Sequence, residues 1–317
     1  MLTSVALAGL GMKTTRRVFA SHGLRGLGVC CRMFAIWVLQ VVCAEAAVYY
    51  VASDGDDNHA GSRDRPWRTI QRAASQAQPG DVVYVLSGIY AERVTTVRGG
   101  TSESNRIVFQ AVGTVVMRGW VINHPYITVD GFDITDHTHP SNVEAYVRVN
   151  NGGSYFQLLS CTIRDGRAIK REDVIFRAPN RIESPSGGFV AAGFQPGQSI
   201  LVMRGTNVAI SNRASYVVAE ANENALTVQG TNIVDDGPKV VYITGSPNYG
   251  VVLWGGTIGC VLRNNRFSNL SYRYVFIQGV NHIIENNVFE NNNGWDIIHW
   301  AGTNHVIRGN LFRNLGW

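Results

Sequence analysis

The sequence predicts an all-β protein, a right-handed parallel β-helix with an N-terminal capping helix and an inserted small β domain. Three observations carry this: a repeat of one coil's length near the C-terminus, a composition that favours strands and tight turns, and a stretch where the repeat is lost. Gly259–Asn269 recurs as Asn281–Asn291 and again as Asn304–Asn314. Phe267, Phe289 and Phe312 are 22 and 23 residues apart, and Asn265, Asn287 and Asn310 keep the same spacing. Short apolar strands with Asn and Gly corners at this period suit a solenoid whose coils stack roughly 4.8 Å apart. Equivalent residues then sit above one another. The phenylalanines become an internal stack, and the asparagines become a corner ladder that satisfies buried amides. Arg263, Glu285 and Arg308 fall on an outward row as a base, an acid and a base.

Composition agrees. With 45% hydrophobic and 16% charged residues the chain can bury a core, and its 34 glycines among Val, Ile, Thr and Tyr favour strands over long helices. The formal charge is +5, but residues 1–46 hold Lys13, Arg16, Arg17, Arg25 and Arg32 against Glu45 alone. The remainder has 23 basic and 22 acidic residues, which argues against a nucleic-acid partner. Residues 33–43 form an apolar run with basic residues before it and Ala44-Glu45-Ala46 after it. This is the pattern of a cleaved signal peptide, and the run is too short to stay as a transmembrane anchor. The expected location is secreted or extracytoplasmic, in the periplasm or at the cell surface.

Organisation follows from the period. Residues 1–46 are the leader, 47–170 the N-terminal part of the β-helix, 171–245 an inserted small β module and 246–317 the C-terminal part. Weaker coils are visible at 126–134 and 155–163. Their register places Cys161 at the position of Asn265 and Cys260 at that of His282 and His305, on different corners, so two free thiols are expected. The stretch 171–245 lacks the period but keeps alternating strands, such as Ala225–Val228 and Lys239–Ile243. A structureless loop of that length is improbable, so a module is expected. Its Gly188-Phe189 to Val202 segment resembles small β modules that interrupt phage-tail and bacterial surface proteins. The repeat runs up to Trp317 without a capping element, which suggests that further coils follow.

The segment from Tyr49 carries Asp54-Gly55, Asp57, Gly61, Pro66, Thr69-Ile70-Gln71, Pro79-Gly80-Asp81 and Gly88-x-Tyr90. This resembles the opening of secreted right-handed β-helix proteins related to pectate lyases. Ile70, Ala73, Ala74 and Ala77 share one face of a short helix that can close the mouth of the solenoid, and Pro79-Gly80-Asp81 ends it.

The resemblance implies a carbohydrate-active protein, cleaving or binding an acidic polysaccharide. If it is an enzyme, it is a lyase rather than a glycoside hydrolase; the alternative is a noncatalytic carbohydrate-binding or adhesion protein. Elimination from a uronate needs a base, and a cation or Arg to neutralise the carboxylate. Family members that use a Lys base with calcium imply Lys170 as the candidate base, with Arg167 beside it. Lys170 and Lys239 are the lysines left once the leader is removed. Asp54, Asp56 and Asp57 form an oxygen-rich loop suited to calcium, or to a turn. Asp130, Asp133 and Asp136 lie near His137 and His139, but strand alternation scatters them. Asp165 and Asp296 are conceivable carboxylates for hydrolysis.

For a sugar chain, the last coils align Leu253, Phe276 and His299, with Val251, Tyr274 and Ile297 two residues earlier. This puts Tyr274, Phe276 and His299 on an outer aromatic strip, and Val252, Val275, Ile298, Trp254, Ile277 and Trp300 inside.

Overall fold

The computed structural model describes residues 46–136, 142–205, 208–292 and 296–315. The leader expected at 1–46 lies, but for Ala46, outside the described residues, as do His137 and His139.

Parallel strands wind into a three-faced coil. The first face stacks Val48–Val51, the start of Val82–Thr95, the start of Ile107–Ile122, Ile127–Asp130, Gln157–Leu159, Val261–Arg263, Ile283–Glu285 and Val306–Arg308. On the second face Asp133–Ile134, Thr162–Arg164, Arg266–Ser268, Val288–Asn292 and Leu311–Leu315 follow the middles of the two long strands. The third continues their ends through Ala145–Val149, Tyr249–Leu253, Arg273–Ile277 and Ile298–Trp300. Three short strands per coil need three sharp corners. Tyr126, Tyr155, Asn281 and Asn304, then Ser160, Asn264 and Asn286, then Asp165, Asn269, Asn291 and Asn314 all turn with positive φ. Asn and Asp tolerate that conformation best, which explains the Asn-rich repeat.

Inside, the expected stack forms: the rings of Phe267 and Phe289 lie 4.9 Å apart and those of Phe289 and Phe312 5.2 Å apart. Beside it runs the amide ladder. Asn265 Nδ2 donates to Asn287 Oδ1 and Asn287 Nδ2 to Asn310 Oδ1, both at 3.0 Å. Cys161 heads this ladder, its backbone N–H donating to Asn265 Oδ1 at 2.9 Å. Cys260 heads another, its N–H donating to His282 Nδ1 at 3.0 Å, with His305 stacked on His282. Both thiols are free and buried, as the register requires.

The helix Ile70–Gln76 closes the N-terminal mouth with Ile70, Ala73 and Ala74 buried, followed by buried Ala77. Thr69 caps it through Arg72 N–H, while the Glu92 carboxylate accepts from the N–H groups of Ile70 and Gln71 at 2.8 and 3.0 Å. Asp81 ends the segment by accepting from Ala47 and Gln78 N–H.

The insert is a closed antiparallel barrel in the order Arg167–Arg177, Arg181–Glu183, Ala225–Val228, Ser215–Asn222, Ser199–Gly205 and Asp236–Gly245. It has its own core around Val174, Phe176, Phe189, Phe194, Val218 and Leu226, separate from that of the coil. The barrel begins at Arg167 rather than at 171, because the chain leaves the coil directly after the second-face strand Thr162–Arg164. It returns at Tyr249 on the third face, pairing with Ala145 of the preceding coil. The junction is tight. A Cβ at Gly166 would lie 2.3 Å from the Ser271 nitrogen, so only glycine fits.

Candidate functional site

The third face differs from the other two in what it shows to the outside. One residue per coil, Arg148, Val252, Phe276 and His299, forms its central row, in which Val252 is fully buried and the other three reach the surface. Phe276 and His299 stack with ring centroids 5.2 Å apart and planes 4° apart. On one flank Tyr249 lies 5.7 Å from Phe276, and Arg273 sits over the ring of Tyr272 at 4.7 Å. On the other flank Trp254 lies 5.8 Å from Phe276, with the Arg148 guanidinium above it. A continuous strip of rings thus runs along the coil axis.

At one margin the strip opens into a cleft of about 710 Å³ lined by Asn123, Arg148, Asn150, Asn151, Trp254 and Gln278. Asn123 and Asn150 are joined at 2.7 Å, and Gln278 Oε1 accepts from Gly255 N–H at 2.9 Å. A ring beside clustered amides offers an apolar platform together with donors and acceptors for hydroxyls. The indole Nε1 of Trp254 and Nε of Arg273 are buried and find no acceptor among the described residues. At the far end Asp296 lies 3.2 Å from His299 Nδ1 and 3.4 Å from Arg273.

The other margin is the barrel. Arg167 is fully buried and donates to the Gly193 carbonyl at 3.0 Å and to the carbonyls of Ser246 and Asp136. Its guanidinium is occupied in clamping barrel to coil, which gives it a structural job in place of the contact with substrate expected for it. Lys170 lies on the first barrel strand, not at the start of a coil strand, and pairs there with Tyr242. Both line a smaller hollow of about 360 Å³ with Arg171 and Ala191. The Tyr242 hydroxyl donates to Ser271 O at 2.6 Å, so the strand Asp236–Gly245, which pairs with that of Lys170, stands beside the entry to Arg273–Ile277.

Tyr274 requires a correction. It is buried, with its ring between Phe267 and Phe289 and its hydroxyl donating to Glu290 O at 2.7 Å. Burial raises its pKa well above that of a free phenol. Its place inside comes from a local slip of strand alternation: the N–H groups of both Tyr274 and Val275 donate to Ile297 O, and both side chains turn inward. Gly250 leaves room in the coil before, where a Cβ would meet Tyr274 O at 2.5 Å. The spacing between these two coils is 24 residues rather than 23, so Phe276 pairs with Val252 rather than Leu253, and Leu253 and Val251 lie in the core. Trp254, expected inside, lines the cleft. Phe276 and His299 lie outside as expected.

The acidic loop does turn work. Asp57 accepts from the N–H groups of Arg68 and Thr69, both at 2.9 Å, and from the Thr69 hydroxyl at 2.7 Å. Asp56 accepts from Asn58 N–H at 2.9 Å, and that bond, the first cause, lowers its pKa. Asp54 is exposed. Among the described residues no three His, Cys, Asp or Glu side chains come together as a metal site. Asp133 and Asp136 face different partners, Arg164 and Arg118, and Asp165 pairs with Arg164 away from Asp296.

Comparison with known proteins matches this architecture at both ends. A family described as periplasmic copper-binding protein (NosD) matches residues 180–316, and a protein family of unknown function (DUF1565) matches residues 53–97. Pectate lyase PEL9 of Emericella nidulans is 32% identical over 74 residues, which are 22% of this chain and 18% of that enzyme. The fold is a pectate-lyase-like parallel β-helix. Among solved structures, the GH136 lacto-N-biosidase of Eubacterium ramulus aligns over 84% of this chain and 56% of its own, with TM-score 0.42 and 10% identity. Pectate lyase Pel9A aligns over 78% and 55%, with TM-score 0.39 and 14% identity. This β-helix therefore spans about half the length of those two enzymes. For the copper named in the first family's description, the described residues offer no group of three or more His, Cys, Asp or Glu side chains. No described helix is long and apolar enough to cross a membrane.

Proposed function

We propose that this is an exported protein that holds an acidic polysaccharide along its third face, between the barrel and the amide-lined cleft. The carrying observation is the unbroken run of Trp254, Phe276 and His299, with Arg148 and Arg273 among the rings. Aromatic faces stack on sugar rings, arginines attract carboxylates, and the strip follows the axis as a polymer would. Export is supported by the leader pattern of residues 1–46 and by the periplasmic description of the matching family. Catalysis by elimination would use a base at the same surface; without one, the protein is a carbohydrate-binding or adhesive surface.

The test is affinity electrophoresis of the purified protein in gels containing polygalacturonate, alginate or a glycosaminoglycan, with and without calcium. Retardation by at least one polymer is expected. The double change Trp254→Ala and Phe276→Ser should weaken it about tenfold or more while the melting temperature stays within a few degrees. Absence of retardation by all three polymers would sink the reading. A calcium requirement would return Asp54, Asp56 and Asp57 to consideration.

A further inference from the structure

At the last described coil the strip carries a group of side chains that binding alone does not need. His299 faces outward, stacked on Phe276, and its Nδ1 is 3.2 Å from the Asp296 carboxylate. Asp296 also meets Arg273 at 3.4 Å, and Arg273 lies 5.9 Å over the Phe276 ring. His299 and Asp296 are 41% and 45% exposed, so a bound polymer can reach them. A carboxylate at Nδ1 favours the proton there and makes Nε2 the basic nitrogen, the arrangement that makes an imidazole a base. Hydrolysis would need a second carboxylate across the sugar. Here Asp296 is already engaged by His299 and Arg273.

We propose that Asp296, His299 and Arg273 form a metal-independent elimination centre for uronate chains, with His299 as the base. The idea rests on the reading of the third face as the polysaccharide surface. His299 Nε2 takes the proton from the carbon next to the uronate carboxylate. The electron pair of that C–H bond becomes a carbon–carbon double bond as the neighbouring bond to the glycosidic oxygen breaks. The departing oxygen gains its proton from the imidazolium or from water. Arg273 stabilises the charge that gathers on the carboxylate, and Asp296 positions the imidazole. His299 is preferred to Lys170 because it stands in the aromatic row itself and has an orienting carboxylate.

The experiment follows the ultraviolet absorbance of the unsaturated product from polygalacturonate, polymannuronate and polyguluronate in the presence of EDTA. Binding is measured in parallel by affinity electrophoresis. The native protein should form product on at least one polymer. His299→Ala should lower kcat by about 100-fold or more, far beyond the modest loss of retardation expected from removing one ring of the strip, and added imidazole should restore part of the rate. Asp296→Asn should lower kcat while KM holds. No product from the native protein on all three polymers, or equal kcat in His299→Ala, overturns the centre even if binding persists. Loss of kcat in Lys170→Ala with His299→Ala unaffected overturns it in favour of the barrel lysine. Loss of binding in the native protein overturns the underlying reading instead.

Discussion

The outward rows of the first two faces and of the third face are built from one coil, yet they carry different chemistry. On the first, Glu285 lies between Arg263 and Arg308 at 2.6 and 2.7 Å. On the second, Glu290 is held by Arg266 and Arg313. Where a solenoid is only scaffold, its exposed positions neutralise one another along the axis. The third face puts Phe276 and His299 at those positions, with Val252 in the same row fully buried. Rings where the neighbouring faces place ion pairs mark a surface kept for contact. The amide cleft and the barrel flank this face.

The sharpest way to break the comparison is to remove one ring inside and one outside. Phe289 is fully buried between Phe267 and Phe312. Phe289→Ala should cost about 3–5 kcal/mol through the cavity it leaves, measured by denaturant unfolding. Phe276→Ser should cost far less, since its outer side faces solvent. Equal costs would mean that the third-face strip is packed against protein rather than open to a ligand.

What was legible in the sequence follows the same division. The inner stack, both ladders, the cysteine positions and the Arg263–Glu285–Arg308 row all repeat at one period, so alignment alone places them, while the capping helix shows in its one-sided apolar face. The third face was read one residue out of register. Strand alternation assumes an unbroken pleat, and the double inward turn at Tyr274 and Val275 breaks it. Gly250, a strand residue without a side chain in the preceding coil, was the available signal. The Arg167 clamp left no such signal, because burial of a lone arginine depends on which carbonyls the fold brings around it.

A smaller effect comes from the histidine ladder. His282 is buried, with Nε2 donating to Gln278 O at 2.7 Å and Nδ1 accepting from Cys260 N–H. Burial pushes its pKa down from 6.5 to about 4, against the Gln278 bond. The unfolded chain therefore binds this proton at a higher pH than the folded one. The stability tied to the neutral ring is whole above pH 6.5, falls as pH drops from 6.5 to about 4, and is flat below. The shift corresponds to about 3 kcal/mol at most. Glu285 and Glu290 respond later. Arginine hydrogen bonds lower both pKa values, from Arg308 and Arg263 on Glu285 and, against burial, from Arg313 and Arg266 on Glu290. Their stability is lost only as pH falls through those lowered values. His282→Asn keeps an acceptor for Cys260 N–H, as Asn287 does for Asn265 at 2.9 Å. Its unfolding midpoint should stay level between pH 6.5 and 5, where that of the native protein declines. A decline of equal steepness in both would place the proton elsewhere.

The smallest effect tests the charged rows themselves. Glu285→Gln keeps the shape and one carbonyl acceptor toward Arg263 and Arg308 but removes the charge between them. Arg263 and Arg308 are 44% and 69% exposed, so water and salt already screen much of the attraction. The melting temperature should fall by about 1–2 °C at low salt, and the difference should shrink in molar sodium chloride. Polysaccharide binding should be unchanged, because the substitution lies on the first face while the ring strip lies on the third. If Glu285→Gln weakened binding as much as Phe276→Ser, the polymer would be wrapping around the coil rather than following one face, and the contrast between the rows would not mark the site.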